Sequence, residues 1–335
     1  MKSQTFFAGL ALAAILVLAA VALGDRHPGE VNDGQPLLPT LAEQLNDVSR
    51  IRIQGDADQT VTLVREQERW RVGERDYPAD IGNIRELLIS LSEASTLEEK
   101  TSNPTLYERL GVQDHGTGET ANKQILIWAG DQQLAGILLG KNASQPRGTY
   151  VRLVGGDTSA LADRVLVASA DITQWLDKSL INVAPGDIEA VQATPADGTP
   201  YSLRRDGEDL GLEGLTDDEA EKAATVARVG RVLQNLRLED VLANDAEENA
   251  QVPADGWSQQ VFTLGDGSTV TVQTAEAGDD RLLRLDIAAA DEADSELTRA
   301  AQRTSGRIFT IQGYKFNDTS LSRDDLVEST RDDDS

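Results

Sequence analysis

Apolar and polar residues alternate along much of the chain, and a helical period interrupts the alternation twice. Stretches 48–53 and 60–64 alternate on either side of Gln54-Gly55-Asp56. A second turn at Glu66-Gln67-Glu68 leads into Trp70-Arg71-Val72. Short strands joined by tight turns predict an antiparallel meander with one face to bury. Asp80 then stands as an N-cap, and Ile81, Ile84, Leu87, Leu88 and Leu91 recur at helical spacing, with Arg85 and Glu86 on the other side. This helix is expected to lie across the meander, with Trp70 as a core aromatic. Beyond it come a short helical piece through Leu106, Tyr107 and Leu110, closed by Gly111, and a polar loop over 114–122. A hairpin follows around Gly130-Asp131, with strands at 149–154 and 164–168 and a short helix bearing Trp175.

The same order returns further along. Ile188 stands 137 positions after Ile51, and Tyr201-Ser202-Leu203 answers Val61-Thr62-Leu63. Asp206-Gly207 supplies a turn, and 210–212 takes the place of the Trp70 strand. Thr216 and Glu219 have capping-box spacing ahead of a helix expected over Ala220, Ala223, Ala227, Val229, Val232, Leu233 and Leu236. A hairpin at Asp266-Gly267, a strand at 281–287, a polar helix at 292–303 and a strand at 307–311 complete the second copy. The pattern predicts an α+β protein of two similar tandem domains, each a meander and hairpin sheet covered by an amphipathic helix.

Ahead of them, the stretch 6–24, opening on Phe6 and closing on Gly24, carries no charge and no proline. At ~1.5 Å per residue it spans roughly 28 Å, about a bilayer's hydrocarbon core. Lys2 on its short side predicts a cytoplasmic N-terminus and an exported bulk. The run exceeds the ~7–15-residue core of a cleaved signal, which favours a retained anchor over cleavage after Ala20-Val21-Ala22. The expected organisation is a cytoplasmic stub and transmembrane anchor over 1–24 and a flexible tether over 25–40. The first unit then runs over 41–184, the second over 185–317, and an acidic disordered tail over 318–335.

Composition changes the picture in two ways. With Lys+Arg 31 against Asp+Glu 57 the net charge is −26, so nucleic acid is excluded as a partner. The acids are scattered over loops and helix faces, which favours a solubilising surface over a cation site. With no cysteine there are no disulfides or thiolates, and with aromatics at 4% the cores rest on Leu, Val, Ile and Ala.

Trp70-x-Val72, Tyr77-Pro78-Ala79-Asp80, a helix ending Leu87-Leu88-x-x-Leu91, and Thr101-x-Asn103-Pro104-x-x-Tyr107-x-x-Leu110-Gly111 together resemble a bacterial family. This is the domain-of-unknown-function family 4340. Trp175-Leu176-Asp177-Lys178-x-Leu180-Ile181 is similar to its middle segment, so the resemblance covers roughly 41–311. It implies one N-terminal membrane segment and genes beside an ABC-type permease, its ATPase and a gliding-motility-type auxiliary protein. It implies no catalytic or ligand residues.

The residues themselves select no chemistry. His27 lies in the tether and His115 in a polar loop, neither at metal-ligand spacing. Gly136-x-x-x-Gly140-Lys141 has the wrong spacing for a phosphate loop and no following helix. The acidic run 206–213 lacks the ligand alternation of a calcium loop. No catalytic, cofactor-binding or metal residue and no cofactor is therefore named. Two functions remain. One is a non-catalytic, membrane-anchored periplasmic accessory protein at the bacterial inner membrane, meeting the bilayer through Phe6 to Gly24 and binding an ABC-type permease and an auxiliary membrane protein. The other is an envelope glycan- or peptide-binding protein or hydrolase.

Overall fold

The alternating tracts are strands in the computed structural model, which describes residues 34–56, 59–119, 121–242, 251–290 and 295–330. The first ten strands are β1 (Gln35–Pro36), β2 (Arg50–Gln54), β3 (Thr60–Glu66), β4 (Arg69–Val72), β5 (Tyr77–Pro78), β6 (Ser95–Thr101), β7 (Lys123–Ala129), β8 (Gln132–Ser144), β9 (Arg147–Leu153) and β10 (Ser159–Ala162). They form an antiparallel sheet in the order β1-β6-β10-β9-β8-β7-β2-β3-β4-β5. Next come β11 (Ser179–Ile181), β12 (Ile188–Thr194), β13 (Tyr201–Asp206), β14 (Asp209–Leu212) and β15 (Glu219–Glu221). After them stand β16 (Leu236–Val241), β17 (Ser258–Leu264), β18 (Thr269–Ala277), β19 (Asp280–Ala288), β20 (Phe309–Ile311) and β21 (Val327–Ser329). A second sheet runs β11-β16-β20-β19-β18-β17-β12-β13-β14, and β15 pairs with β21 alone.

Counted ten strands on, the second order repeats the first from β1 to β4. The registers align it residue by residue. Ile51 pairs Ile127 as Val191 pairs Phe262, and Leu63 pairs Val72 as Leu203 pairs Leu212. The spacing through the meander is thus 140, Ile51 to Val191 and Val72 to Leu212. The 137-residue spacing of Ile51 and Ile188 is corrected, and Val48 is the counterpart of Ile188; both are buried. Alternation sends one row of each sheet inward, Ile51, Ile53, Ile125, Ile127 and Ile137 in the first, Val191, Phe262, Val270, Val272 and Leu283 in the second.

The helices are α1 (Pro39–Glu43), α2 (Ile81–Ser92), α3 (Tyr107–Leu110), α4 (Ala223–Gly230), α5 (Glu296–Thr304), α6 (Gly313–Thr319) and α7 (Arg323–Leu326). Helix α2 starts as its sequence dictates. Asp80 Oδ1 accepts from the Gly82 and Asn83 amides at 2.8 and 3.1 Å. It buries Ile84, Leu87, Leu88 and Leu91, each contributing about 1.5–3 kcal/mol, and exposes Ile81 and Ile89.

The fold class expected from sequence is corrected on two counts. Sheet dominates the described residues, and the second covering helix is shorter than its periodicity implies. Thr216 does receive the capping contact, its amide donating to Glu219 Oε2 at 3.0 Å, but Glu219 begins β15 and α4 waits until Ala223. At the far end Lys315 Nζ donates to the carbonyls of Arg231, Val232 and Gln234 at 2.7, 3.0 and 2.9 Å, and the chain unwinds through Asn235 at φ +48°. The N-terminal transmembrane helix is the other count. Among the described residues no helix is long and apolar enough to cross a membrane, and the stretch from Phe6 to Gly24 lies outside them.

Both ends of the chain are more built than expected. The tether over 25–40 stops short, because β1 pairs with β6 and Leu37 and Leu38 are buried. The tail from Asp318 is ordered to Thr330. Leu326 is fully buried, β21 lies on β15, and the Thr330 amide donates to Asp218 O at 2.9 Å. The strand expected at 164–168 is a wrapping coil; the Leu166 amide donates to Thr149 Oγ1 at 2.9 Å, and β10 ends at Ala162.

The described chain groups into two compact units, neither continuous. One holds the residues up to Thr60 with Glu86–Ala170; the other holds Val61–Arg85 with the residues from Asp171 on. In the second unit, Arg75 makes a two-pronged ion pair with Asp240 at 2.9 and 3.0 Å. The Tyr77 ring stands edge-on to Phe309, centroids 5.8 Å apart, and the Asp80 amide donates to Trp175 O at 2.7 Å. Burial pushes the Tyr77 phenol up to about 12. The hydrogen bond from Arg71 holds the Asp76 carboxyl below its usual range against partial burial, with the charges of Arg71 and Arg307 adding to it.

Candidate functional site

Strand β2 sends Ile51 and Ile53 inward and therefore Arg52 and Gln54 to the opposite face. It ends in a turn closed by the Gly55 amide on Gln59 O at 2.9 Å and the Gln59 amide on Asp56 O at 3.1 Å. Gly55 is buried, and a Cβ there would stand 2.4 Å from the Ala170 Cβ, so a side chain enters at this point only if the packing shifts. Arg52, Gln54, Asp56, Gln59 and Thr60 form one wall of a cavity of about 610 Å³ in the first unit.

The facing wall comes from the polar loop, and three anchors hold that loop in place. Arg152, 5% exposed, donates to Val112 O at 2.7 Å, to Gly156 O at 2.8 Å and to Asp114 Oδ1 at 2.5 Å, with its guanidinium 4.6 Å from the Tyr107 ring centroid. Asp114 O in turn accepts from the Thr117 amide at 3.0 Å and the Thr117 hydroxyl at 2.6 Å. The Glu119 amide donates to Glu108 Oε1 at 2.7 Å. Asn122, 7% exposed, donates through Nδ2 to Gln113 O at 2.7 Å, which fixes its amide orientation. Its Oδ1 therefore accepts from His115 Nδ1 at 3.0 Å. The neutral His115 ring must carry its proton on Nδ1, leaving Nε2 as an acceptor.

The result is a cavity with amide, hydroxyl, guanidinium, carboxylate and imidazole groups and no large apolar side chain among its described lining residues. It can recognise a ligand through paired donors and acceptors. His115 falls in this cavity; His27 lies outside the described residues. Sequence reasoning singled out His115 but not Arg52, Gln54, Asp56 or Gln59. The alternation of Arg52 and Gln54 with Ile51 and Ile53 was the available signal. Gly136 and Gly140 lie within β8, and a Cβ on Gly140 would meet Leu110 O at 2.3 Å, so this glycine serves close packing.

The second unit keeps a stacked arginine without the cavity's side chains. Leu138 pairs Arg152 as Gln273 pairs Arg284, and Arg284 stacks 4.1 Å from the Trp257 centroid as Arg152 does on Tyr107. At the 140-residue spacing Arg52, Gln54 and Asp56 correspond to Gln192, Thr194 and Ala196. A separate concavity of about 470 Å³ in this unit has Ile181, Val183 and Leu264 in its floor and Asp187, Glu189, Asp266 and Glu296 around it. Among the described residues no group of three or more His, Asp or Glu is placed to hold a metal ion.

One comparison with known proteins gives a match. The pattern of a family described as a domain of unknown function (DUF4340) covers residues 70–256. No curated protein and no solved structure matches the chain.

Proposed function

The chain belongs to the DUF4340 family of domains of unknown function, and from that membership we propose a non-catalytic accessory protein of an ABC-type transport or gliding-motility-like envelope system. It acts by protein–protein interaction at the outer face of the bacterial inner membrane, against a permease and an auxiliary membrane protein. The observation that carries the reading is the form of the duplication. Strand order, meander register and the stacked arginine are retained in both sheets, while Arg52, Gln54 and Asp56 give way to Gln192, Thr194 and Ala196. A framework kept under changed surfaces suits a protein that displays surfaces to partners. The second reading, a glycan- or peptide-binding protein or a hydrolase, draws on the polar cavity of the first unit.

Crosslinking in the native cell, followed by mild-detergent purification of the full-length protein, separates the two. Co-purification of a permease with its auxiliary subunit is the expected result. A protein recovered alone, with crosslinks only to glycan or peptide, overturns the accessory role.

A further inference from the structure

We propose that the first-unit cavity between the β2–β3 turn and the 114–122 loop is a binding site for a neutral saccharide. Three physical features lead there. The first is wall chemistry. Arg52, Gln54, Asp56, His115, Glu119 and Asn122 are all planar polar groups, and Asn122 and His115 are already oriented by their mutual hydrogen bond. Two-headed planar groups engage adjacent oxygens in pairs, and a hydroxyl both donates and accepts. A mixed wall of donors and acceptors therefore matches vicinal hydroxyls better than it matches an ion of either sign.

The second is charge. One guanidinium faces two carboxylates and a histidine, so the cavity has no excess of positive charge to hold phosphate. No large apolar side chain is among its described lining residues, so it offers a greasy ligand little to bury against. The third is pre-organisation. Val112, Gln113 and Asp114 are tied down by the buried Arg152 and Asn122, so a ligand need not order this part of the chain, and less binding energy is lost to conformational entropy. At about 610 Å³ the cavity lies within the roughly 300–1,000 Å³ range of small-ligand sites. Among its described lining residues no Trp, Tyr or Phe offers a platform, so the affinity belongs in the weak, roughly millimolar class.

The test is titration of the purified full-length protein with glucose, N-acetylglucosamine and their β-1,4-linked disaccharides, with glycylglycine and inorganic phosphate alongside. Binding is read by isothermal calorimetry and by amide shifts at Gly116 and Gly118. The expected result is saturable binding of at least one saccharide, weakened about tenfold or more in Asp56→Ala and in Arg52→Met. Both positions are exposed, and unchanged thermal melting confirms that the variants fold. Absence of saturation by every saccharide overturns the proposal. So does saccharide binding that survives both substitutions, or binding of the dipeptide or phosphate in its place. Partner capture is read separately, so failure here leaves the accessory role standing, and the reverse also holds.

Discussion

Arg152 and Gly55 show how much of the first unit depends on single residues. Arg152 is almost fully buried, and its guanidinium satisfies two backbone carbonyls and one carboxylate while stacking on Tyr107. Removing it leaves the carbonyl of the fully buried Val112 without its donor. Arg152→Met should therefore cost about 2–4 kcal/mol in urea unfolding. Arg284→Met in the other unit should cost less, because Arg284 is only half-buried. At Gly55 the limit is space. The added methyl of Gly55→Ala would sit 2.4 Å from the Ala170 Cβ, and the packing must shift to admit it. A loss of about 1–3 kcal/mol is expected by the same measurement.

At the scale of the element, the β15–β21 pair holds the C-terminal segment. Arg323 reaches Glu219 through both terminal nitrogens, at 2.7 and 2.6 Å. Together with the Thr216 amide, Arg323 holds the Glu219 carboxyl down to about 2, the arginine being the larger cause. The folded value lies below the unfolded one. The contribution to stability is therefore fully present above the ordinary glutamate value of 4.5 and disappears as pH falls from there through about 2. Thermal melts of wild type and Glu219→Gln should differ at pH 7 and converge near pH 2; a constant difference across that window would contradict the assignment. The sequence showed this region only in part. Alternation revealed most of the long strands, though not β6 or β16, because one buried face imposes a period of two at Ile51, Ile53, Val61 and Leu63. Helix α2 was legible for the equivalent reason at a period of 3.6. The tail was misread because its apolar content is sparse: Leu326 alone fills its place, and Asp318 is buried beside charged neighbours that suggested solvent. Helix α4 was overextended because Thr216 and Glu219 make the same contact at the head of a strand as at the head of a helix. The cavity was hidden for a different reason. Its walls lie far apart in sequence, and only the pairing of β2 with β7 brings Gln54 opposite Gln124, where the two amides bond at 2.9 Å.

For the whole molecule, the discontinuity of the second unit matters most. Val61–Arg85 supplies the Arg75 ion pair with Asp240 and the Tyr77 contact with Phe309. A fragment starting at Asp171 lacks both and leaves Phe309 short of an aromatic neighbour. It should melt well below the full chain, and adding a peptide spanning 61–85 in trans should recover part of the loss. A fragment as stable as the intact protein would show these contacts to be dispensable. The same arrangement has a consequence for synthesis. Arg307 bonds to the Arg75 carbonyl across 232 positions of chain. At about 5–20 residues per second, the ribosome takes on the order of 10–50 s to deliver one after the other. During that interval the 61–85 hairpin is made but lacks Phe309, the aromatic partner of Tyr77. Nascent chains stalled before Phe309 should therefore be cut by protease within this hairpin, and those released after Thr330 should resist.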